Sequence, residues 1–99
     1  MKNLFCKLHS TQNSTVLACC DEDVLGKNFS DEKYDVSVDE HFYKGEKVGE
    51  EQMIELLASS DSINLFGKES VAVAIKQGFI SKSDIIRIAG VEHAIIIKV

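Results

Sequence analysis

The sequence contains no proline, and no repeat or low-complexity segment divides it. A single domain over residues 1–99 is therefore the simplest organisation, and this length allows a hydrophobic core without disulfides. The apolar share of 44% is ordinary for a globular chain.

Cysteine is scarce, and long apolar runs are absent. Three cysteines, two of them adjacent at 19 and 20, do not resemble the disulfide framework of a small secreted domain. No apolar run approaches the ~20 residues of a membrane-spanning helix. The first residues, MKNLFCKLHSTQN, lack the apolar length of a signal peptide. We therefore expect a reduced, cytoplasmic protein that does not contact the membrane.

Basic residues are few and dispersed. Eleven Lys and Arg against 16 acids leave a net charge of −5. Since no run of bases resembles a stripe that follows a phosphate backbone, we expect no broad affinity for nucleic acid. This acidic balance is compatible with a protein partner, which it does not specify.

The hydrophobic pattern predicts an α+β fold. Strands are predicted at 3–9, 15–20, 34–39, 85–89 and 94–99, with a strand or connector at 63–67. Helices are predicted at 50–60 and 68–78. We expect a single two-layer domain in which about five strands form a mostly antiparallel or mixed sheet and two amphipathic helices cover one face.

Several local features carry their own predictions. DEDVLGK at 21–27 indicates one helical turn or a tight loop, and Gly78 followed by Phe79 favours a Schellman ending of the second helix. HFYKGEKVG at 41–49 is expected to be a loop, and GVEH at 90–93 a hairpin turn. Because Ile95–Ile97 is apolar on both faces, the last strand is predicted to be central in the sheet.

A metal site or a cofactor is not expected. Adjacent cysteines on a strand point to opposite faces, and His9, His41 and His93 have no motif around them. The acids at 21–23 lack the pattern of a calcium loop and indicate a solvated turn. Gly67-Lys68 resembles the end of a phosphate-binding loop, but Ser62 and Glu69 break that motif, so Gly67 is interpreted as the start of a helix.

Two groups of residues remain as candidates for function. Cys20 precedes a helical turn, where a thiol pKa can fall, but three acids follow it and oppose the thiolate. Phe42 and Tyr43 lie beside Lys44, so these aromatics either contact a protein or single-stranded RNA, or pack with one ring in the core and the other partly exposed.

Four stretches, LACCDEDVLGK, HFYKGE, INLFGKESVAVAIKQGFI and IAGVEHA, occur in this order between about residues 16 and 94. Together they resemble the small archaeal proteins grouped as Domain of Unknown Function 424. Lys44 stands where that family has glycine, and Glu92 where it more often has proline. The resemblance implies an archaeal, cytoplasmic, single-domain protein and supplies no activity, cofactor or catalytic residue. It carries a loose association with translation or RNA metabolism.

The positions shared with this family include Asp21, Tyr43 and His93, which packing alone explains less readily than the glycines. We expect a non-enzymatic binding or adaptor module with a protein partner, and a surface site that includes Asp21, Phe42, Tyr43, Lys44 and His93. The alternative is a small enzyme that uses Cys20 or His93 together with Asp21, which requires these side chains to converge in one cleft.

Overall fold

The computed structural model describes residues 3–98. Two principal helices and two sheets make up this α+β domain, and two 3₁₀ turns lie at Glu22–Val24 and Lys82–Asp84. In chain order the elements are β1 (Leu4–Ser10), β2 (Thr15–Asp21), β3 (Asn28–Ser30), β4 (Asp35–Ser37), α1 (Glu40–Tyr43), β5 (Glu46–Val48), α2 (Glu50–Ser59), β6 (Ser62–Phe66), α3 (Lys68–Lys76), β7 (Ile86–Ile88) and β8 (Val91–Ile97).

Six strands form the main sheet in the order β5-β1-β2-β6-β8-β7. The pairs are antiparallel except β2 and β6, which run parallel. The strands β3 and β4 form a separate hairpin. The predicted α+β class and the two helices are confirmed, and β7 lies within the strand predicted at 85–89. The expected number of strands was too low because β3 and β5, each only three residues long, were not predicted.

The helices α2 and α3 cover one face of the sheet, which we call the helix face. Alternation along β2 places Cys19 on this face and Cys20 on the other, as predicted. Cys6 on β1 lies opposite Cys19 in the register, and their sulfur atoms are 2.8 Å apart. Both thiols are buried within the apolar core beneath the helices.

The end of α3 confirms the predicted Schellman motif. The Phe79 amide donates to the Ala74 carbonyl over 2.9 Å, and the Gly78 amide donates to the Ile75 carbonyl over 3.0 Å. Gly78 adopts φ +78°, a left-handed conformation that glycine accepts without a Cβ penalty.

The segment expected to be a loop after residue 40 contains α1 and β5. The Asp39 carboxylate accepts a hydrogen bond from the His41 amide over 3.0 Å and so caps α1. Gly45 then lets the chain pass close to β1, because a Cβ at this residue would lie 2.2 Å from the Cys6 carbonyl oxygen. The prediction missed both elements because each is too short to show a period.

The last hairpin also differs from the prediction. Its turn is Ala89–Gly90, with φ of +50° and +84°, typical of a type I′ turn. Val91–His93, expected within the turn, belongs to β8. β8 lies between β6 and β7 in the sheet order, so it is an inner strand as predicted. However, β7 pairs only with Val91–His93, and within residues 3–98 no strand lies beside the outer edge of residues 94–97.

The second face of the sheet is only half covered. The hairpin β3-β4, the first 3₁₀ turn and α1 enclose a second core around Phe66. Beyond them, Ile95 and Ile97 remain 57% and 74% exposed. Within residues 3–98, no helix is long and apolar enough to cross a membrane.

Candidate functional site

Asp21 ends β2 and caps a helix that follows a different strand. Its carboxylate accepts hydrogen bonds from the Glu69 amide over 2.9 Å and from the Ser70 amide and hydroxyl over 2.8 Å each. Because β2 and β6 are parallel, the end of β2 lies beside the start of α3, which follows β6. Asp21 is therefore the anion at the positive end of this helix.

Gly67 makes this arrangement sterically feasible. It is the N-cap residue of α3, as predicted, and has φ +108°. A Cβ at this position would lie 2.3 Å from the Cγ atom of Asp21. The helix start at Gly67-Lys68 resembles the end of a phosphate-binding loop, but here the amides that follow it bind the Asp21 carboxylate of the same chain.

A small cavity of about 240 Å³ lies beside this capped helix end. Its charged lining comprises three acids, Asp21, Asp23 and Glu92, and a single base, Lys68. The acids dominate its charge, so the cavity does not favour an anionic ligand.

His93 and Tyr43 lie on the second face of the sheet, on either side of Phe66. The His93 ring is 4.7 Å from the Phe66 ring, and the Tyr43 ring packs edge-on to Phe66 at 6.3 Å. The His93 Nδ1 donates to the Leu65 carbonyl over 2.8 Å, since a carbonyl can only accept. Burial lowers the pKa of His93 and raises the pKa of Tyr43.

Phe42 is half-buried and stacks on His9. Their ring centroids are 4.7 Å apart, and the His9 Nε2 lies 2.8 Å from the Phe42 carbonyl oxygen. The next residue, Tyr43, is buried in the core, so one aromatic is core and the other is partly exposed. Lys44 is exposed and forms an ion pair with Glu40 at 3.5 Å.

The residues of the enzymatic alternative do not converge. Cys20 is fully buried, and Phe66 separates it from His93 in the register. Asp21 is opposite Leu4 on the helix face, whereas Cys20 and His93 are on the second face. Burial, and after it the Asp21 carboxylate, raise the pKa of Cys20 to about 12, in the direction that the acids were expected to impose.

The uncovered part of the second face is a surface that the sequence reasoning missed. The register places Val16 beside Ser62 and Ser62 beside Ile97 in one row across the sheet. The adjacent row places Asn64 beside Ile95. We call these five residues, Val16, Ser62, Asn64, Ile95 and Ile97, the open face.

The signal for the open face was the alternation of β8, in which residues 93, 95 and 97 share one side. The run of three isoleucines concealed this alternation, because an all-apolar strand is typical of burial on both sides. Only the tertiary structure shows that, within residues 3–98, no helix or hairpin covers this end of the second face.

Comparison with known proteins supports the fold and the family. No curated protein matches the chain significantly. A crystal structure of an uncharacterized conserved protein from Methanopyrus kandleri superimposes with a TM-score of 0.81 at 23% identity, covering 98% of this chain and 94% of that one. At this identity the likeness shows the fold alone. Residues 9–99 match the family described as protein of unknown function, DUF424, and the chain therefore belongs to that family, as the ordered motifs indicated.

Proposed function

We propose that this protein is a non-enzymatic binding module whose open face receives an apolar surface of a partner protein. The observation that carries the proposal is the exposure of Ile95 and Ile97, 57% and 74%, side by side on an uncovered sheet face. The candidate reactive groups, by contrast, are engaged in capping or packing.

The open face is large enough for a docking surface. From the His9 position on β1 to Ile97 on β8, one row crosses four adjacent strands. With about 4.8 Å between neighbouring strands, this row is about 14 Å wide. Phe42, stacked on His9, borders the face at its far end and adds an aromatic edge.

The chemistry of this surface favours a protein partner. Isolated exposed apolar residues are normal, but Ile95 and Ile97 are successive residues on one side of β8, and Val16 lies in the same row as Ile97, two strands away. Covering one isoleucine stabilises a complex by about 1.5–3 kcal/mol. Ser62 and Asn64, both half-buried between these residues, offer polar groups for orientation.

Charge argues against a nucleic acid as the ligand of the open face. Lys7 lies on the same side of the sheet, but its amino group donates to the His41 carbonyl over 2.7 Å. With a net charge of −5, the chain offers little attraction to a phosphate backbone. On the family resemblance alone, we extend the proposal to a cytoplasmic partner that works in translation or RNA metabolism.

Site-specific photo-crosslinking tests this proposal. A photoreactive benzoyl-phenylalanine replaces Val16, which is on the open face, and in a matched variant it replaces Leu8, which is 45% exposed on the helix face. Both variants are irradiated in cells that express them at the same level. We expect a discrete adduct with another protein from position 16 and none of that mass from position 8.

A partner recovered this way is then purified and titrated against the chain by calorimetry. We expect Val16→Glu to weaken that binding at least tenfold and Leu8→Glu to leave it unchanged. Absence of an adduct from position 16, or the same adduct from both positions, contradicts the proposal. Turnover of a substrate by the purified chain would instead favour the enzymatic alternative.

A further inference from the structure

Within residues 3–98, no strand lies beside the outer edge of β8 from residue 94 to residue 97. On one side β6 pairs with His93–Ile97, and on the other β7 pairs only with Val91–His93. Residues 94–97 therefore have a strand partner on one side alone. An unpaired strand edge presents backbone groups that another strand can bind.

The hydrogen bonds flanking the β6–β8 ladder show which groups face the free edge. The Gly67 amide donates to the Glu92 carbonyl over 2.8 Å, and the Lys98 amide donates to the Asp61 carbonyl over 2.9 Å. Even-numbered residues of β8 thus bond to β6, and by antiparallel alternation Ile95 and Ile97 direct their amides and carbonyls outward. Within residues 3–98 no hydrogen bond engages these outward groups.

This edge lacks the devices that usually keep strand edges apart. Natural sheets place lysine, proline or a bulge there, but both outward residues here are exposed isoleucines. Lys98, the base that follows this segment in the chain, is drawn away because its amino group donates to the Leu57 and Ala58 carbonyls at the end of α2. The chain contains no proline.

We propose that this edge of β8 binds the same edge of a second copy, so that two sheets join antiparallel across a twofold axis at Ile96. In this register Ile95 of one copy is opposite Ile97 of the other. Both outward residues then exchange hydrogen bonds with the second copy, about four in all. A register centred on Ile95 forms only about two, because its next outward residue, His93, already pairs with β7.

The shape of the edge also matches a second copy. Opposite residues of paired strands point to the same face, so the four isoleucines at positions 95 and 97 meet on one side. β7 pairs with β8 only as far as His93, and the paired segment Ile95–Ile97 begins two residues beyond it. Such an isologous contact closes on itself and ends at a dimer.

Sedimentation equilibrium tests the dimer. We expect the wild-type chain to sediment at about twice the mass of one chain. Ile97→Lys should raise the dimer dissociation constant at least about 100-fold, through lost apolar contact and like charges near the axis. Leu8→Lys makes the same change at an exposed leucine of the helix face, and we expect it to leave dimerisation unchanged.

A second variant tests the dimer without introducing a charged side chain. Ile95→Pro removes an amide that faces the free edge and leaves the bonds to β6 intact, so it should fold and sediment as a monomer. Circular dichroism establishes that the proline variant is folded before its mass is interpreted.

Cysteine crosslinking tests the register. At the twofold axis the two copies of residue 96 form a non-hydrogen-bonded pair with Cα atoms about 4.5 Å apart, within disulfide range. Diamide should oxidise the two Ile96→Cys thiols to one intermolecular disulfide, and Leu8→Cys should remain uncrosslinked. The three native cysteines are buried and do not compete.

A wild-type chain that stays monomeric, or a dimer equally sensitive to Leu8→Lys and Ile97→Lys, overturns the proposal. So does a β8 edge occupied by a strand of a different protein. The outcome is separate from that of the proposed function, since Val16 lies two strands away from this edge.

Discussion

Asp21→Ala tests whether the carboxylate of β2 holds α3 in place. The substitution removes an acceptor for three hydrogen bonds, two from backbone amides and one from the Ser70 hydroxyl. Hydrogen bonds to a charged group contribute about 1.5–3 kcal/mol each, and a helix cap about 1 kcal/mol. Asp21 is only 4% exposed, so solvent replaces the carboxylate poorly.

These contributions do not add, because water from the adjacent cavity of about 240 Å³ can reach part of the vacated site. We therefore expect a loss of about 3 kcal/mol in the free energy of unfolding. The total free energy of unfolding of such a domain is about 5–15 kcal/mol, so this loss is a large fraction of it. Asp21→Asn keeps the shape but turns a donor toward one of the amides, and we expect it to lose about 2 kcal/mol.

Urea unfolding followed by far-ultraviolet circular dichroism measures these losses. Asp23→Ala is the matched control, because it removes an exposed acid that lines the same cavity. We expect it to change the free energy of unfolding by less than about 0.5 kcal/mol. If Asp21→Ala falls within about 0.5 kcal/mol of this control, the capping role of Asp21 is refuted.

Three further predictions concern close approach, protonation and thiol burial. Gly45→Ala should lower the free energy of unfolding by at least about 2 kcal/mol in the same urea assay, since its Cβ would meet the Cys6 carbonyl oxygen at 2.2 Å; a loss below about 0.5 kcal/mol contradicts the close approach. Burial lowers the pKa of His93 in the folded chain. The stability that neutral His93 contributes is therefore fully present above the pKa of the unfolded chain, about 6.5, and is lost as the pH falls through the folded pKa. His93→Gln should remove this part of the pH dependence of the free energy of unfolding, and an unchanged dependence in the variant refutes the role of His93. Cys20 should react with an alkylating reagent at neutral pH at least about 100-fold more slowly in the native chain than in urea, and equal rates contradict its burial.

Periodicity in the sequence predicted the larger elements of the fold. The alternation of β1 and β2 and the helical stripes of α2 and α3 are long enough to repeat, so their apolar faces determine which side is buried. Local chemistry was equally informative at Gly78, where a left-handed residue ends α3. These features depend on neighbours within a few residues, and the sequence lists those neighbours directly.

The sequence by itself determined the α+β class, the separation of Cys19 from Cys20 and the order of motifs that places the chain in its family. Only the tertiary structure decided that β2 runs parallel to β6, which brings Asp21 to the start of α3 across 48 residues. It also decided that the hairpin β3-β4, the first 3₁₀ turn and α1 cover only part of the second face, which leaves Ile95 and Ile97 exposed. The reason is that strand order and the length of a paired edge arise from contacts between distant segments, and no local period records them.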